Sequence, residues 1–550
     1  AAQGPSRWPW PKSSSKDSQK EMRDRISDLP DELLLLILSL LPTTKLRAST
    51  SLLSRRWRHL WTHCPALDLR WLDRHRASDP RVVDHCVRLC RAATLRRFVA
   101  DIALLPEELD GGDGEHLVEE ARRRLDRWVR FAAGKSVEEL SLRFFWDMPF
   151  LEPPPSLLDC GRSLTSLQLQ DCDLARFPCK AGGFPSLRTL HLFATILPDE
   201  KLPHLLAMCP LLETLWLHCC RHLGSAEVSS AANPRLKHLR IAGVFRAVVD
   251  VPDLSSFHFT QSFVATLTLK GRPRLREAAL HSRHWNTHWS KRAWRTTMSA
   301  IADVQVLSVN SWFFEFMAKA GIGGDGKLGF RNLRELLWEE DSITDANLEA
   351  FFSFVHGCPQ LEKLYVNIHH LEGIFMEHKP RYSFHEDTDD DEQPPGDPSR
   401  HQRRVGEEPL EEPTGENLAL PRLRSAAVIQ FSNRRGGMRL AELLLRESPV
   451  LERVTLHLRP EQVTEEGAIR EEVAGLQRAS LGAEIASETS RRSSHPRVDD
   501  LLSWEHPWTW CWIPPMWRSS LRRSCGLPTA VSSAVHGCSC GQGQVGSSSS

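Results

Sequence analysis

A short apolar template, P-x-L-x-x-L-x-L, recurs along most of this chain. Clear copies are FPSLRTLHL (Phe184–Leu192), CPLLETLWL (Cys209–Leu217), NPRLKHLRI (Asn233–Ile241), RPRLREAAL (Arg272–Leu280), CPQLEKLYV (Cys358–Val366) and SPVLERVTL (Ser448–Leu456). Looser copies begin at Lys135, Arg162, Val251, Ala302, Phe330 and Leu420. Their first apolar residues are Val137, Leu164, Leu187, Leu212, Leu236, Leu254, Leu275, Val304, Leu333, Leu361, Leu423 and Leu451. Every interval but the one from Leu361 to Leu423 falls between 18 and 29 residues. Within each copy the last apolar pair alternates with period two, as in a strand with one buried face. The stretch before it, such as DEKLPHLLAMCP, has helical spacing instead. No single unit of this kind can bury its own apolar face, so neighbours must stack into a curved parallel sheet.

That period and unit resemble leucine-rich repeats. The copies are irregular and often lack the usual Asn. The expected fold class is therefore α/β: a small three-helix domain followed by an irregular leucine-rich-repeat solenoid, a curved parallel sheet with helices outside.

The small helical domain is read from LPDELLLLILSLLP, Leu29 to Pro42. Eight of the nine residues from Leu33 to Leu41 are aliphatic, far fewer than the ~20 apolar residues of a membrane span. Pro30 suits a helix start, Asp31 and Glu32 complement the positive end of the dipole, and Pro42 stops it. Thr43 or Thr44 can cap a second helix and Ser54 a third. In the third, Trp57, Leu60, Trp61 and Cys64 form one apolar stripe. Three short helices make a very small core, and the leucines exceed what it can hold. The excess implies a partner helix.

The stretch Leu29–Trp61, with its Leu-Pro pairs and the block SRRW, resembles the F-box, and the pairing of LPDELL with LSRRWRHLW resembles the plant F-box families. The resemblance implies docking to a Skp-family adaptor and, through it, to a cullin ubiquitin ligase. It implies that Leu29, Pro30, Leu33, Leu34, Ile37, Leu38 and Leu41 bind the adaptor, with Pro42, Leu53, Trp57 and Trp61 in that contact or in the small core. The alternative is an ordinary amphipathic helix pair. Beyond the long interval, Leu420–Leu458 resembles the FBD-type region that closes many plant F-box repeat proteins.

These readings divide the chain into a disordered segment 1–22, an F-box at 23–66, a helical linker at 67–134 and repeats over 135–381. There follow an acidic, Pro-rich disordered insertion at 382–416, FBD-like last repeats at 417–459 and a disordered or aberrant tail at 460–550, where the pattern stops. Lys+Arg and Asp+Glu number 70 each, so net charge gives no reason to expect a nucleic-acid or membrane partner. Fourteen scattered cysteines without a secretory signal point to reduced thiols and to the nucleus or cytoplasm. The first residue is Ala, so a preceding segment stays open.

Other motifs are weaker. GIGGDGKL (Gly321–Leu328) has Leu where a P-loop needs Ser or Thr, and it follows a helix-like stretch rather than a strand. Cys86 and Cys90, or His281, His284 and His288, lack the paired spacing of a zinc module, so neither metal nor cofactor is expected. No Ser-His-Asp pattern is recognisable, although such sites are assembled in space.

Strand alternation assigns the concave face. Leu190 and Leu192 point inward, so Thr189, His191 and Phe193 point outward, and Thr214, Trp216, His218, His238, Arg240, Lys363, Tyr365 and Asn367 are equivalent. The candidate target-binding residues are His191, Phe193, Trp216, His218, Arg240 and Tyr365, with Trp216 and Tyr365 as anchors. The expected function is that of a non-catalytic receptor: the F-box docks the ligase and the repeats hold a target protein. The alternative is a repeat scaffold that recruits no cullin, and an enzyme carried on the repeats is the least supported reading.

Overall fold

The computed structural model describes residues 26, 29–69, 80–102, 114–144, 151–179, 183–261, 266–282, 291–319, 329–340, 343–368, 420–431, 435–458 and 464–488. The acidic insertion 382–416, the segment 1–22, the Gly321–Leu328 motif, His284, His288 and the tail beyond 488 lie outside them.

The chain opens with three short helices. α1 (Asp31–Leu40) follows Pro30, carries both acids in its first turn and ends where Leu41 turns extended. Leu34 and Leu38, four residues apart, are its buried residues. In α2 (Thr44–Ser49) the Thr43 hydroxyl caps the start by accepting the Leu46 N–H. α3 (Trp57–Leu60) begins after Arg56 without a side-chain cap, so Ser54 does not play the expected capping role. Arg56 donates from Nε and one Nη to a single oxygen of Asp31, Oδ1, and this ion pair links the residue before α3 to the start of α1. Leu34, Leu38, Trp57, Leu60 and Cys64 form a small separate core. Trp61, expected in the same stripe, packs instead against the main core of the repeats.

Eighteen strands follow in the described residues. Fifteen form one sheet: β1 (Ala66–Asp68), β2 (Arg97–Ile102), β3 (Glu139–Phe144), β4 (Ser166–Gln170), β5 (Thr189–Phe193), β6 (Thr214–His218), β8 (His238–Ala242), β10 (Ser256–Gln261), β12 (Glu277–Ser282), β13 (Val306–Asn310), β14 (Glu335–Glu340), β15 (Lys363–Ile368), β16 (Ser425–Phe431), β17 (Arg453–Leu458) and β18 (Glu484–Glu488). They lie in chain order, and each pairs parallel with its neighbours. The twelve template leucines and valines each stand just before one of β3 to β17, and all are buried.

Three strands and the outer layer depart from the sequence reading. The expected helical linker at 67–134 contributes β2 and most of β1, besides α4 (Pro80–Leu89) and α5 (Gly114–Gly134). Leu95, Phe98 and Ala100 occupy the template positions there and are buried; Phe and Ala simply replace leucine. The pattern also continues past residue 459, through α11 (Glu466–Ala474) to β18.

The outer layer depends on unit length. The units starting at Leu275, Val304, Leu333 and Leu423 run 29, 29, 28 and 28 residues, which leaves room for a helix in each: α7 (Lys291–Ile301), α8 (Ser311–Lys319), α9 (Asp345–Val355) and α10 (Arg435–Glu447). The units starting at Leu212, Leu236 and Leu254 run 24, 18 and 21 residues. They carry strands outside instead, β7 (Ser225–Ser229), β9 (Arg246–Asp250) and β11 (Thr266–Leu269), joined as a small parallel sheet. α6 (Lys201–Ala207) is a short helix just before them. Left-handed residues at Asp171, Ala194, Cys219 and Gly243 follow β4, β5, β6 and β8 and turn the chain outward at each.

Arg47 joins the two parts. It is buried, and its guanidinium donates to the carbonyls of Leu38, Leu41 and Ala66. It thereby caps the end of α1 and holds β1. The Thr44 hydroxyl adds an acceptor for the Asp68 N–H at 2.8 Å. Burial lowers the Arg47 pKa, opposed by Cys64 and Asp68, and its three carbonyl acceptors favour the charged form. Arg47→Ala leaves these buried carbonyls without their donor and is expected to destabilise the helical domain by about 2–4 kcal/mol. Hydrogen exchange should show lost protection at residues 34–41 and 66–69 while β13 to β16 stay protected; uniform protection in the variant contradicts the assignment.

Candidate functional site

Two surfaces have the character of binding sites. The first lies on the helical domain. α1 carries two apolar stripes, and the small core uses one, through Leu34 and Leu38 at 0% exposure. The other, Leu33, Leu36, Ile37 and Leu40, follows i, i+3, i+4, i+7 and faces solvent. Leu52 and Leu53, in the turn after α2, are exposed at 90% and 68%. So many large aliphatic side chains exposed in so small a domain mark a contact surface rather than scattered surface residues.

This sorts the residues expected at the adaptor contact. Leu33, Ile37 and Leu53 are exposed, as are Pro30 and Pro42. Leu34, Leu38 and Trp57 are interior residues, so a direct contact for Leu34 and Leu38 does not hold: the small core consumes that face of the helix. Leu29 and Leu41 pack against the same core, half-buried. Leu36, Leu40 and Leu52, which the sequence reading does not single out, are exposed as well. The i, i+3, i+4, i+7 spacing was present in the sequence, but an almost wholly apolar helix does not reveal which stripe is covered.

The second surface is the face of the large sheet opposite the helices. Its middle row runs Gln168, His191, Trp216, Arg240, His258 across β4, β5, β6, β8 and β10, each in register with the next. His191 stacks on Trp216 with centroids 3.7 Å apart and planes 9° from parallel. The Arg240 guanidinium carbon lies 4.3 Å from the Trp216 ring centre. Both neighbours thus take up the indole, and Trp216 offers an edge rather than an open face. One rung on, Phe193 stacks on His218 at 4.8 Å. His258 Nε2 meets Glu277 Oε1 at 3.1 Å.

Tyr365, Asn367 and His218, assigned outward by alternation, are buried. Tyr365 stands in register between Leu337 and Ala427, and Leu337 is buried as well. Alternation gave the correct side of the sheet but not the exposure. His191, Phe193, Trp216 and Arg240 are partly exposed.

Comparison with known proteins fits this architecture. An F-box domain model matches residues 26–67, and a model of the LRR repeats of the FBD-associated F-box protein At5g56370 matches residues 125–276. F-box/LRR-repeat protein 25 of Arabidopsis thaliana is 31% identical over 218 residues, 40% of this chain and 76% of the relative. The chain belongs to the plant F-box/LRR-repeat family. The F-box/FBD/LRR-repeat protein At5g56420 of the same plant is 31% identical over 276 residues, 48% of this chain and 62% of that protein. F-box/LRR-repeat protein At3g03360 is 33% identical over 243 residues, 40% and 44% of the two chains. The chain spans about half the length of several curated relatives it matches.

The repeats of this F-box/LRR protein also bring together three polar residues that were not adjacent in the sequence. His281 Nε2 lies 3.0 Å from the Ser308 hydroxyl, and its Nδ1 lies 3.8 Å from Glu339. The residue types are those of a hydrolytic triad. Ser308, however, is buried within an interior strand whose backbone amides are committed to the ladder on both sides, and a nucleophile needs free donors beside it to hold an oxyanion. The trio reads as a polar rung of the sheet. Cys86 of α4 and Cys90, just past its end, are buried thiols, and burial first, then Cys90, pushes Cys86 up to about 11. Among the described residues no group of three His, Cys, Asp or Glu is placed to hold a metal, and no helix is long and apolar enough to cross a membrane.

Burial, and secondly the charge of Arg240, push the His191 pKa down to about 4. The folded chain therefore refuses a proton that the unfolded chain accepts below the ordinary value near 6.5. Stability contributed by neutral His191 is complete above that value and is lost as pH falls toward 4, by roughly 3 kcal/mol. His191→Phe should unfold with a shallower dependence than the native chain between pH 6.5 and 4, measured by urea titration; parallel curves exclude this role.

Proposed function

We propose that this chain is the substrate-recognition subunit of a Skp-cullin-F-box type ubiquitin ligase. The observation that carries the reading is the uncovered aliphatic stripe of α1 together with Leu52 and Leu53, in a segment matched by the F-box model. A helix of the adaptor laid on that stripe removes the apolar area from water, which is how an amphipathic helix meets a hydrophobic groove. The adaptor in turn brings the cullin, and the repeats hold the target protein. Catalysis on this reading is proximity: the receptor raises the local concentration of target near the ubiquitin-charged enzyme and needs no reactive side chain of its own. The domain borders drawn from the sequence are proposed on the same footing, with the F-box extended by contact to β1 and the repeats extended to β18.

The exposed stripe separates binding from folding. The double substitution Leu36→Asp, Leu40→Asp replaces residues outside the small core, so the melting temperature should move little while co-purification of a Skp-family adaptor and cullin is lost. Leu34→Asp, inside the core, should lose both. Adaptor binding that survives in the double variant, or that is absent from the native chain, overturns the proposal and leaves a repeat scaffold without ligase recruitment.

A further inference from the structure

The charges along the sheet are not distributed evenly. Near both ends of the solenoid, cations where the strands begin have acidic partners on the neighbouring strand. Arg97 pairs with Glu139 and Arg188 with Glu213 on one side, and Arg334 with Glu362, Lys363 with Glu335, Arg424 with Glu452 and Arg453 with Glu484 on the other. Such pairs neutralise one another and leave little net field.

The middle differs. Lys237 and Arg276, at the starts of β8 and β12, are exposed and have no acidic partner among the described residues. Arg240 lies on β8 beside them, its guanidinium stacked on Trp216. The acids facing this group are Glu213, paired with Arg188, and Glu277, hydrogen-bonded to His258, which burial holds toward its neutral form, so the Glu277 charge still offsets part of the cationic charge. Burial is the first cause that lowers His191, His238 and His258; the Arg240 charge comes second at His191, whereas at His238 and His258 Glu277, which favours protonation, comes ahead of it.

Resting on the proposed role of the repeats as the target-binding part, we infer that the concave face from β6 to β12 grips an acidic stretch of extended polypeptide, with Arg240 at its centre and Lys237 and Arg276 at its rim. Lys237 and Arg276 stand two strands apart, roughly 10 Å, the span of about three extended residues. Carboxylates at that spacing can meet both cations at once. Stacking on Trp216 fixes the plane of the Arg240 fork before anything binds, so less side-chain freedom is lost on contact with a carboxylate. A nucleic acid is the poorer match. Its backbone asks for a longer track of cations, and here three cations share the face with two glutamates.

The test uses the full chain with its adaptor and a short fluorescein-labelled peptide of alternating Glu and Gly, followed by fluorescence anisotropy at low and at physiological salt. The Glu peptide should bind and the matching Gln peptide should not. Arg240→Gln should weaken binding by about tenfold or more, and so should the surface double substitution Lys237→Glu, Arg276→Glu, which leaves the core untouched. Arg188→Gln, whose charge is already met by Glu213, should change it less than about twofold. Equal binding of the Glu and Gln peptides, tighter binding of oligouridine than of the Glu peptide, or indifference to the surface double substitution would overturn the inference. Retained adaptor in those same preparations shows that the inference has failed while the F-box reading stands.

Discussion

Parallel register, kept across fifteen strands, is the constraint on which the rest of this protein depends. Each strand adds only a few inward side chains to a core that no unit owns alone, so a unit is stable only when its neighbours continue the leucine row. The same register decides function, because side chains alternate with period two. A slip of one residue in β6 turns Leu215 and Leu217 toward solvent and drives Trp216 into the core. Among the described strands the ladder shifts only between Ile429 and Phe431, where Gln430 adopts a left-handed conformation. The stacked row His191, Trp216, Arg240 exists only because three successive strands hold step.

The repeats were legible because the template is anchored by a residue type the fold cannot replace freely. The first apolar residue of each copy plugs the core beside its strand, and leucine or valine stands there in all twelve copies found. The units that escaped notice are those where the chemistry is kept and the letters change: Phe98 and Ala100 in β2, Ala483 and Ile485 before and in β18, and a β1 of only three residues. The outer layer carries strands in place of helices in three units for a different reason. Short units were visible as intervals, but a chain with 18 residues per unit has no length left for a helix once the strand and two turns are built, and it lays down a strand instead. The exposed stripe of α1 was hidden by excess. With seven of its ten residues aliphatic, periodicity cannot choose a buried face, and the choice falls to what Trp57 and Leu60 cover.

Arg47 explains how a domain too small to be stable by itself is kept in place. A core of five residues gives little stability alone, yet α1 ends on a buried guanidinium that also binds the first strand of the sheet. Trp61 reinforces the junction by leaving the small core for the large one. A buried cation without good partners is costly, and one whose donors are taken by carbonyls of two elements ties those elements together. The helical domain is thus an extension of the solenoid rather than a bead on a linker.

That rigidity bears on the proposed mechanism. Proximity catalysis works only if the two binding surfaces are held at a separation that the charged enzyme can span, and a flexible joint would dilute the effect. Here the aliphatic stripe of α1 is fixed to β1 through Arg47, and β8 follows six strand steps along the same sheet, roughly 29 Å at the usual inter-strand spacing. The distance between adaptor surface and cationic patch is then set by backbone hydrogen bonding, one repeat at a time. Adding or removing a unit between β1 and β8 would move the patch by a strand spacing and rotate it with the twist of the sheet. On this view the number of repeats before the patch matters as much as the residues within it, and loss of a repeat would impair target modification without altering either contact.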